Sequence, residues 1–136
     1  MIELLAAIFI IILLAGITVP AFRSAYSRSK ISKAKSDIAK FEIGANQYNV
    51  DWGIYPSSTS LNMYLSLKQE SPTTKKPYMI FKEEDIKNNQ PIDPWGKPYM
   101  YIYPGTHNSF RYDIYSFGPD GTDDSGAGDD INNWSK

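Results

Sequence analysis

The 136-residue chain contains no cysteine. That excludes disulfide scaffolds, thiolate metal sites and cysteine nucleophiles, without fixing the compartment. Histidine occurs once, at His107, so a multi-histidine metal centre is excluded as well. Charge of one sign is also lacking. The 14 Lys+Arg against 15 Asp+Glu leave a net charge of -1, and no global basic surplus points to nucleic acid. No phosphate-binding Gly-rich loop is present, so no ATPase resides here. The acids of the C-terminal region cluster in one Gly-rich segment, with no base–nucleophile arrangement. The chain therefore does not read as an enzyme.

What is present is unevenly distributed. Residues 1–50 carry six bases and three acids, whereas residues 51–136 carry eight bases and twelve acids. The apolar residues gather at the N-terminus. Three segments follow: a hydrophobic membrane or core helix over 1–22, its amphipathic continuation over 23–50, and a globular head over 51–136.

Ile2 to Val19 holds a single charge, Glu3. Roughly 18 apolar residues lie near the lower limit for a bilayer span, at about 1.5 Å of rise per residue. A signal peptide fits less well. No basic stretch precedes the run, the run exceeds the usual 7–15 residues or so, and Pro20-Ala21-Phe22-Arg23 follows where a small-residue cleavage site would lie. A retained membrane helix is expected. Glu3 is costly inside an apolar helix, by ~2.5–3.5 kcal/mol at mid-bilayer. It either snorkels to the headgroups or pairs with a positive charge on another subunit. Pro20 removes a backbone donor, so a kink or local melting is expected between Gly16 and Phe22.

From Ile31 the apolar residues Ile31, Ala34, Ile38, Phe41, Ala45 and Tyr48 recur at intervals of three and four, one face of a helix ending near Val50. Gly44 is a milder weak point. Arg23, Arg28, Lys30, Lys33 and Lys35 precede the first acid of this segment, Asp37. They form a solvated face or meet anionic headgroups; taken alone they would place this flank in the cytoplasm.

In the head, Ser57 or Ser58 is expected to cap a short helix over Leu61–Leu67. Tyr78–Phe81 reads as a short strand and Asp85–Pro94 as irregular. Lys97–Tyr103 and Phe110–Phe117 alternate with aromatics around Pro104-Gly105, which predicts a hairpin. A lone hairpin is marginal in water, so it should pack on the Ile38/Phe41/Ala45/Tyr48 stripe. His107, at the turn, reads as an ordinary exposed loop residue.

The segment from Phe117 to Trp134 holds five Asp and four Gly. Read from composition it is either an acidic disordered tail or a loop closed on a hard cation. Ile131 and Trp134 can anchor its far end. Ca²⁺ suits such a segment better than Mg²⁺, because it accepts irregular cages of about 6–8 oxygens. The EF-hand pattern, which ends in Glu, is not matched.

Ile2-Glu3-Leu4-Leu5-Ala6-Ala7-Ile8, the apolar run, Gly16 and Pro20 resemble the N-terminus of type IV pilins and pseudopilins. Met1 stands where that pattern has Leu. Tyr55-Pro56-Ser57, Asp93-Pro94-Trp95-Gly96-Lys97-Pro98-Tyr99, Asp113-Ile114-Tyr115-Ser116-Phe117-Gly118-Pro119-Asp120-Gly121 and Asp129-Asp130-Ile131-Asn132-Asn133-Trp134 extend the resemblance over nearly the whole chain, to the major pseudopilins of type II secretion systems. The implied fold is α+β and pilin-like: a long N-terminal helix packed on a small antiparallel sheet, with a C-terminal calcium-type loop.

The resemblance implies a structural subunit of a helical homopolymer that drives protein export. A surface pilus of the type IV kind is the near alternative, and a membrane-tethered monomeric calcium-dependent binding module the distant one. It implies that Glu3 pairs with the N-terminal amine of an adjacent identical subunit, and that Pro20 lets packed helices adjust. It implies calcium ligation by Asp120, Asp129 and Asp130, with the Phe117 carbonyl as a further oxygen and Asp123 and Asp124 as alternates. The implied partners are identical subunits, minor pseudopilins, the inner-membrane assembly platform and a prepilin peptidase that cuts after a Gly, with methylation of the new N-terminus. Membrane lipid holds the subunit before assembly, and no nucleic acid is expected. A positively charged leader, in the family, keeps the N-terminus in the cytoplasm. The head is thus expected outside the bacterial cytoplasmic membrane, and the filament in the extracytoplasmic space.

Overall fold

A computed structural model describes residues 1–135, by backbone alone at residues 15–21. The chain divides into two compact units, Met1–Lys30 and Ile31–Lys136. Helix α1, Ile2–Trp52, supplies the first and begins the second.

In the first unit every large apolar side chain from Ile2 to Leu14 is more than half exposed. The acid in its first turn is Glu3, also exposed, which suits the positive end of the helix dipole. Among the described residues, no helix is long and apolar enough to cross a membrane. Gly16 and the Pro20 ring lie outside the described side chains, and so does the kink expected there.

In the second unit the apolar stripe of α1 organises the packing. Ala34, Ile38, Phe41 and Ala45 are buried, with Ile31 and Tyr48 packed at their edges. The helix runs to Trp52, two residues beyond the expected Val50. Asp51 fastens this end, accepting hydrogen bonds from the hydroxyls of Ser71, Thr73 (2.8 Å) and Tyr78 (2.9 Å). Gly44 is not a weak point but a close approach. A methyl there would stand 3.4 Å from both methyls of Leu67, an ordinary van der Waals contact, so the next helix lies against α1 at this point.

That helix is α2, Ser60–Lys68, close to the expected Leu61–Leu67. Its cap is Thr59, whose hydroxyl accepts from the Asn62 N–H at 3.2 Å. Of the serines expected to cap, Ser57 is exposed and Ser58 is engaged elsewhere, as is the first residue of α2, Ser60. Ser58 Oγ accepts from the Tyr103 N–H at 2.8 Å and donates to the Tyr103 carbonyl, and Ser60 Oγ donates to the Tyr99 carbonyl. Both stitch α2 to the sheet.

Tyr78–Phe81 is not a strand. Met79 donates its N–H to the Leu67 carbonyl at 3.0 Å, and Tyr78, Met79 and Phe81 all pack on the core, which the alternating faces of a strand do not allow. Asp85–Pro94, expected to be irregular, contains a two-stranded hairpin after a 3-10 turn at Glu83–Asp85. Strand β1, Ile86–Lys87, pairs antiparallel with β2, Gln90–Pro91. Asn88 and Asn89 join them at φ 51 and 57. Both central residues at positive φ is the tight-hairpin geometry that asparagine tolerates.

The main sheet has the order β3-β4-β5 and is antiparallel throughout: β3 is Met100–Ile102, β4 Asp113–Ser116 and β5 Ile131–Asn132. The register pairs Tyr101 with Ile114 and Ser116 with Ile131. Strands β3 and β4 are the expected hairpin, trimmed at its ends. Tyr99, Tyr101, Tyr112 and Ile114 face the stripe of α1 and join its core. Their rings make edge contacts with helix and loop aromatics, as in Phe41–Tyr99 at 5.0 Å and Tyr55–Tyr112 at 4.9 Å.

The Asp-Pro-Trp-Gly segment earns its place through a buried carboxylate. Asp93 Oδ1 accepts from the N–H groups of Trp95 (3.0 Å) and Lys97 (2.9 Å), and Oδ2 accepts from Ser116 Oγ at 2.6 Å. The turn and β4 are thus held by one side chain. Asp93→Ala should leave three donors without their acceptor, one of them the buried Ser116 hydroxyl, and lower head stability by about 1–3 kcal/mol. Denaturant melts of wild type and variant check this, as a lower midpoint with an unchanged slope.

Candidate metal centre

The loop after β4 lies on the face of the sheet opposite α1. Alternation along the strands puts Tyr101 and Ile114 inward, and hence Ile102, Asp113 and Tyr115 outward. All four residues of β4 are buried, because the acidic loop and the C-terminal segment cover that outer face. Trp134 packs edge-on against Tyr115 at 5.8 Å. Asn132 Nδ2 donates to the Gly126 carbonyl at 2.7 Å, and Asn133 Oδ1 accepts from the Ile114 N–H at 3.0 Å.

Two glycines make this fit. Gly118 is at φ 64, and a side chain there would run into the Asp129 carbonyl. Gly126 is at φ 83, and a side chain there would run into the Trp134 indole. The positive φ and the close approach both require glycine.

The carboxylates take two roles. Some organise the backbone. Asp130 Oδ2 accepts from the N–H groups of Asp124 (3.1 Å) and Gly126 (2.8 Å). Asp123 Oδ1 accepts from Tyr115 OH at 3.2 Å and from the Ser125 N–H at 2.9 Å. Asp120 Oδ1 accepts from the Thr122 N–H at 2.7 Å, and Asp129 Oδ2 from the Asp120 N–H at 3.1 Å. Two of these, with Asp124, also converge. One carboxylate oxygen from each of Asp120, Asp124 and Asp129 lies within 4.8 Å of the other two, all three residues being exposed.

Of the expected ligands, Asp120 and Asp129 therefore stand together, with Asp124 as the third member of the group. Asp130 and Asp123 are turned to the loop backbone and to Tyr115. Phe117 stands at the head of the loop, its ring 6.0 Å from that of Tyr115. Glu3 lies apart, in the first unit.

The electrostatics match a site short of positive charge. Burial pushes the Asp130 carboxyl up, the charges of Asp124 and Asp123 add to this, and the two N–H groups on Oδ2 work against it. Burial, and then the Asp123 carboxylate, push the Tyr115 phenol up to about 12. Asp130 Oδ1 is buried and, among the described residues, has no hydrogen-bond partner. A buried carboxylate oxygen with nothing opposite it is costly. Three converging carboxylates, carbonyl-rich backbone and this orphaned oxygen fit a hard cation with all-oxygen coordination.

One part of the region was not legible in the sequence. His107 is exposed but not ordinary: its ring stacks on Trp134 at 4.2 Å with an interplanar angle of 6°. Its Nδ1 lies 3.3 Å from Asp113 Oδ2. Asp113, almost fully buried, accepts from the N–H groups of His107 (2.8 Å) and Asn108 (2.9 Å). Stacked in this way, His107, Trp134 and Gly126 connect the β3–β4 turn to the acidic loop. The one available signal was an aspartate inside a strand, where that residue is disfavoured.

Burial raises the Asp113 carboxyl, but the hydrogen bonds from the backbone of His107, Asn108 and Thr106 and from the imidazole outweigh it, and its pKa is lowered. A lowered carboxyl stabilises the fold above its ordinary range, near about 3.9, and the contribution is lost as pH falls through the folded value. Head stability should therefore drop on acidification below about pH 4. Asp113→Asn should flatten that acid limb, as measured by urea midpoints across pH.

Comparison with known proteins places these features. The family model described as "Type II secretion system (T2SS), protein G" matches residues 22–134. The type II secretion system core protein G of Pseudomonas aeruginosa is 33% identical over 135 residues, spanning 98% of this chain and 92% of the relative. The protein of the same name from Escherichia coli K12 is 34% identical over 134 residues, spanning 98% and 88%. The crystal structure of the major pseudopilin from the type 2 secretion system of enterohaemorrhagic Escherichia coli aligns with a TM-score of 0.55 and 27% identity, covering 82% of this chain and 87% of that one.

Proposed function

Because this chain belongs to the protein G family of type II secretion systems, the major pseudopilins, we propose that it is the repeating subunit of a filament whose growth drives protein export. Membership in the family makes it a pilus-like filament subunit, with the pilin-like α+β fold. The finer reading has three parts: how the first unit is covered, how the loop is closed, and what the subunit meets during assembly.

The carrying observation is the first unit. Its large apolar side chains are exposed on all sides, and in water such a surface has to be covered. Lipid of the cytoplasmic membrane covers it before assembly, with the head outside. Identical helices cover it afterwards, in the core of the filament. Glu3 then meets the N-terminal amine of a neighbour, and Pro20 gives the packed helices room to adjust. Minor pseudopilins, an inner-membrane platform and a prepilin peptidase are the partners such assembly requires, with N-methylation following cleavage. The family is one of structural secretion-system subunits, and the role read here is structural.

Glu3→Ala should leave the head's melting unchanged, since Glu3 lies outside the unit that holds the hydrophobic core, yet cut filament yield on electron micrographs by ~10-fold or more. Wild-type filament yield from the variant contradicts the role given to Glu3. Single particles in place of filaments from the unsubstituted chain would favour a tethered monomeric binding module instead.

Calcium closes the acidic loop in this reading, on Asp120, Asp124 and Asp129, with Asp130 and the Phe117 carbonyl as further donors and Asp123 held in reserve. A cation that binds only the folded loop adds RT ln(1 + [L]/Kd), about 2.7 kcal/mol at ~100 times Kd. Chelation should lower the melting temperature of the full-length chain in detergent and expose the bonds between Gly118 and Asn133 to protease. Asp120→Ala should reproduce both effects and respond no further to chelator, whereas Asp85→Ala should keep the response. Melting and cleavage indifferent to chelator in calcium-loaded protein contradict the assignment.

A further inference from the structure

The head carries an apolar face that its own core does not use. On α1, Ile43, Asn46 and Val50 are three and seven residues apart and form one ridge. Ile43 is 66% exposed and Val50 82%. Asn46 Oδ1 accepts from Arg111 Nη2 at 3.0 Å and from Tyr55 OH at 3.4 Å. Ile54 and Phe110 are the chain neighbours of Tyr55 and Arg111, the residues bonded to that ridge. Ile54 is more than half exposed, and Phe110, at 95%, is the most exposed large apolar residue of the head. Phe110 thus stands next in sequence to an exposed cation, Arg111, which is held at the Asn46 position of the ridge and makes no ion pair among the described residues.

A second feature shares no residue with this face. Tyr64, Met79, Ile80, Phe81 and Ile86 line an open groove with Glu83 on its wall. Ile80 is 83% exposed. At its rim Lys82 pairs with Glu84 at 3.5 Å, and the Lys68 ammonium lies 5.5 Å over the Tyr64 ring. Glu83 has no ion-pair partner among the described residues.

We infer that these two features are the halves of one subunit contact, in which Phe110 of one copy fills the groove at Ile80 of the next and Arg111 meets Glu83. The inference rests on the filament reading. A filament needs a heterologous contact, two different patches of one surface that fit each other and do not close into a ring. The two features meet that need in shape, an apolar knob against an apolar groove, and in charge, a cation against an acid. Single exposed apolar residues require no explanation, but a patch beside one cation, facing a groove with one free acid, does. Burying Phe110 also excludes water from the Arg111–Glu83 pair, which strengthens it.

The absence of cysteine makes the test clean. Phe110→Cys combined with Ile80→Cys, in the full chain assembling with its own secretion apparatus, should give a ladder of cross-linked multimers on oxidation. Either single variant should give none. Arg111→Glu and Glu83→Arg should each cut filament yield by ~10-fold while leaving head melting in place, and the two together should restore it to within about threefold. Filaments that form without a ladder, or a double charge reversal no better than either single one, overturn the contact and leave the filament reading standing. Strong dimers from Phe110→Cys alone overturn it in favour of a symmetric face. If the unsubstituted chain makes no filaments, both readings fall.

Discussion

The stripe of Ala34, Ile38, Phe41 and Ala45 must be covered, and the rest of the head is arranged by that need. Four small or apolar side chains on a helix bury little by themselves. They are met by Tyr101 and Ile114 of the β3–β4 hairpin, by Tyr99 and Tyr112 just before its strands, by Met63 and Leu67 of α2, and by Phe81. Each tyrosine brings a hydroxyl that has to find a partner when buried. Tyr101 donates to the Pro56 carbonyl at 2.9 Å and Tyr112 to the Glu42 carbonyl at 3.2 Å. An aromatic core of this kind is fixed in register by its polar tips as well as by its area. Over Ile2–Leu14, in the first unit, the same helix is apolar without a stripe and its large side chains are exposed.

Carboxylates carry much of the remaining order. Asp51 gathers three hydroxyls at the end of α1, Asp93 ties a turn to β4, and Asp113 ties the hairpin turn to its own strand. Each accepts several hydrogen bonds, and hydrogen bonds to a charged acceptor are stronger than neutral ones. The acidic loop differs. Its backbone N–H groups occupy some oxygens of Asp120, Asp123, Asp129 and Asp130, while three carboxylates still converge and one buried oxygen is left over. A loop that organises its own backbone and yet keeps this surplus of negative oxygen is prepared for a cation.

The helix stripe was legible because a period of 3.6 survives in plain sequence over many residues, and the β3–β4 hairpin because its aromatics alternate around Pro104-Gly105. Tyr78–Phe81 misled because apolar content alone does not distinguish a strand from a segment pressed flat on a core. The β1–β2 hairpin hid behind Asn88-Asn89, a tight turn whose flanking strands are only two residues long. The cap of α2 fell to Thr59 and not to Ser57 or Ser58, Ser58 being drawn to Tyr103, a tertiary choice with no local sign. In the loop, composition and resemblance pointed to acids, but which acids converge depends on Gly118 and Gly126 folding the segment back on itself. The contact between His107 and Trp134 joins residues 27 positions apart, and no periodicity reports it.

The major pseudopilin of enterohaemorrhagic Escherichia coli shares this fold, and the central physical claim for this chain is that its apolar first unit is covered by copies of itself. A density map of filaments purified from cells carrying the full secretion apparatus tests that claim most directly. The account predicts Met1–Lys30 of many subunits packed against one another at the filament axis, with the Ile31–Lys136 units outside them. First units lying apart from one another, or heads joined with no helical core, would contradict it.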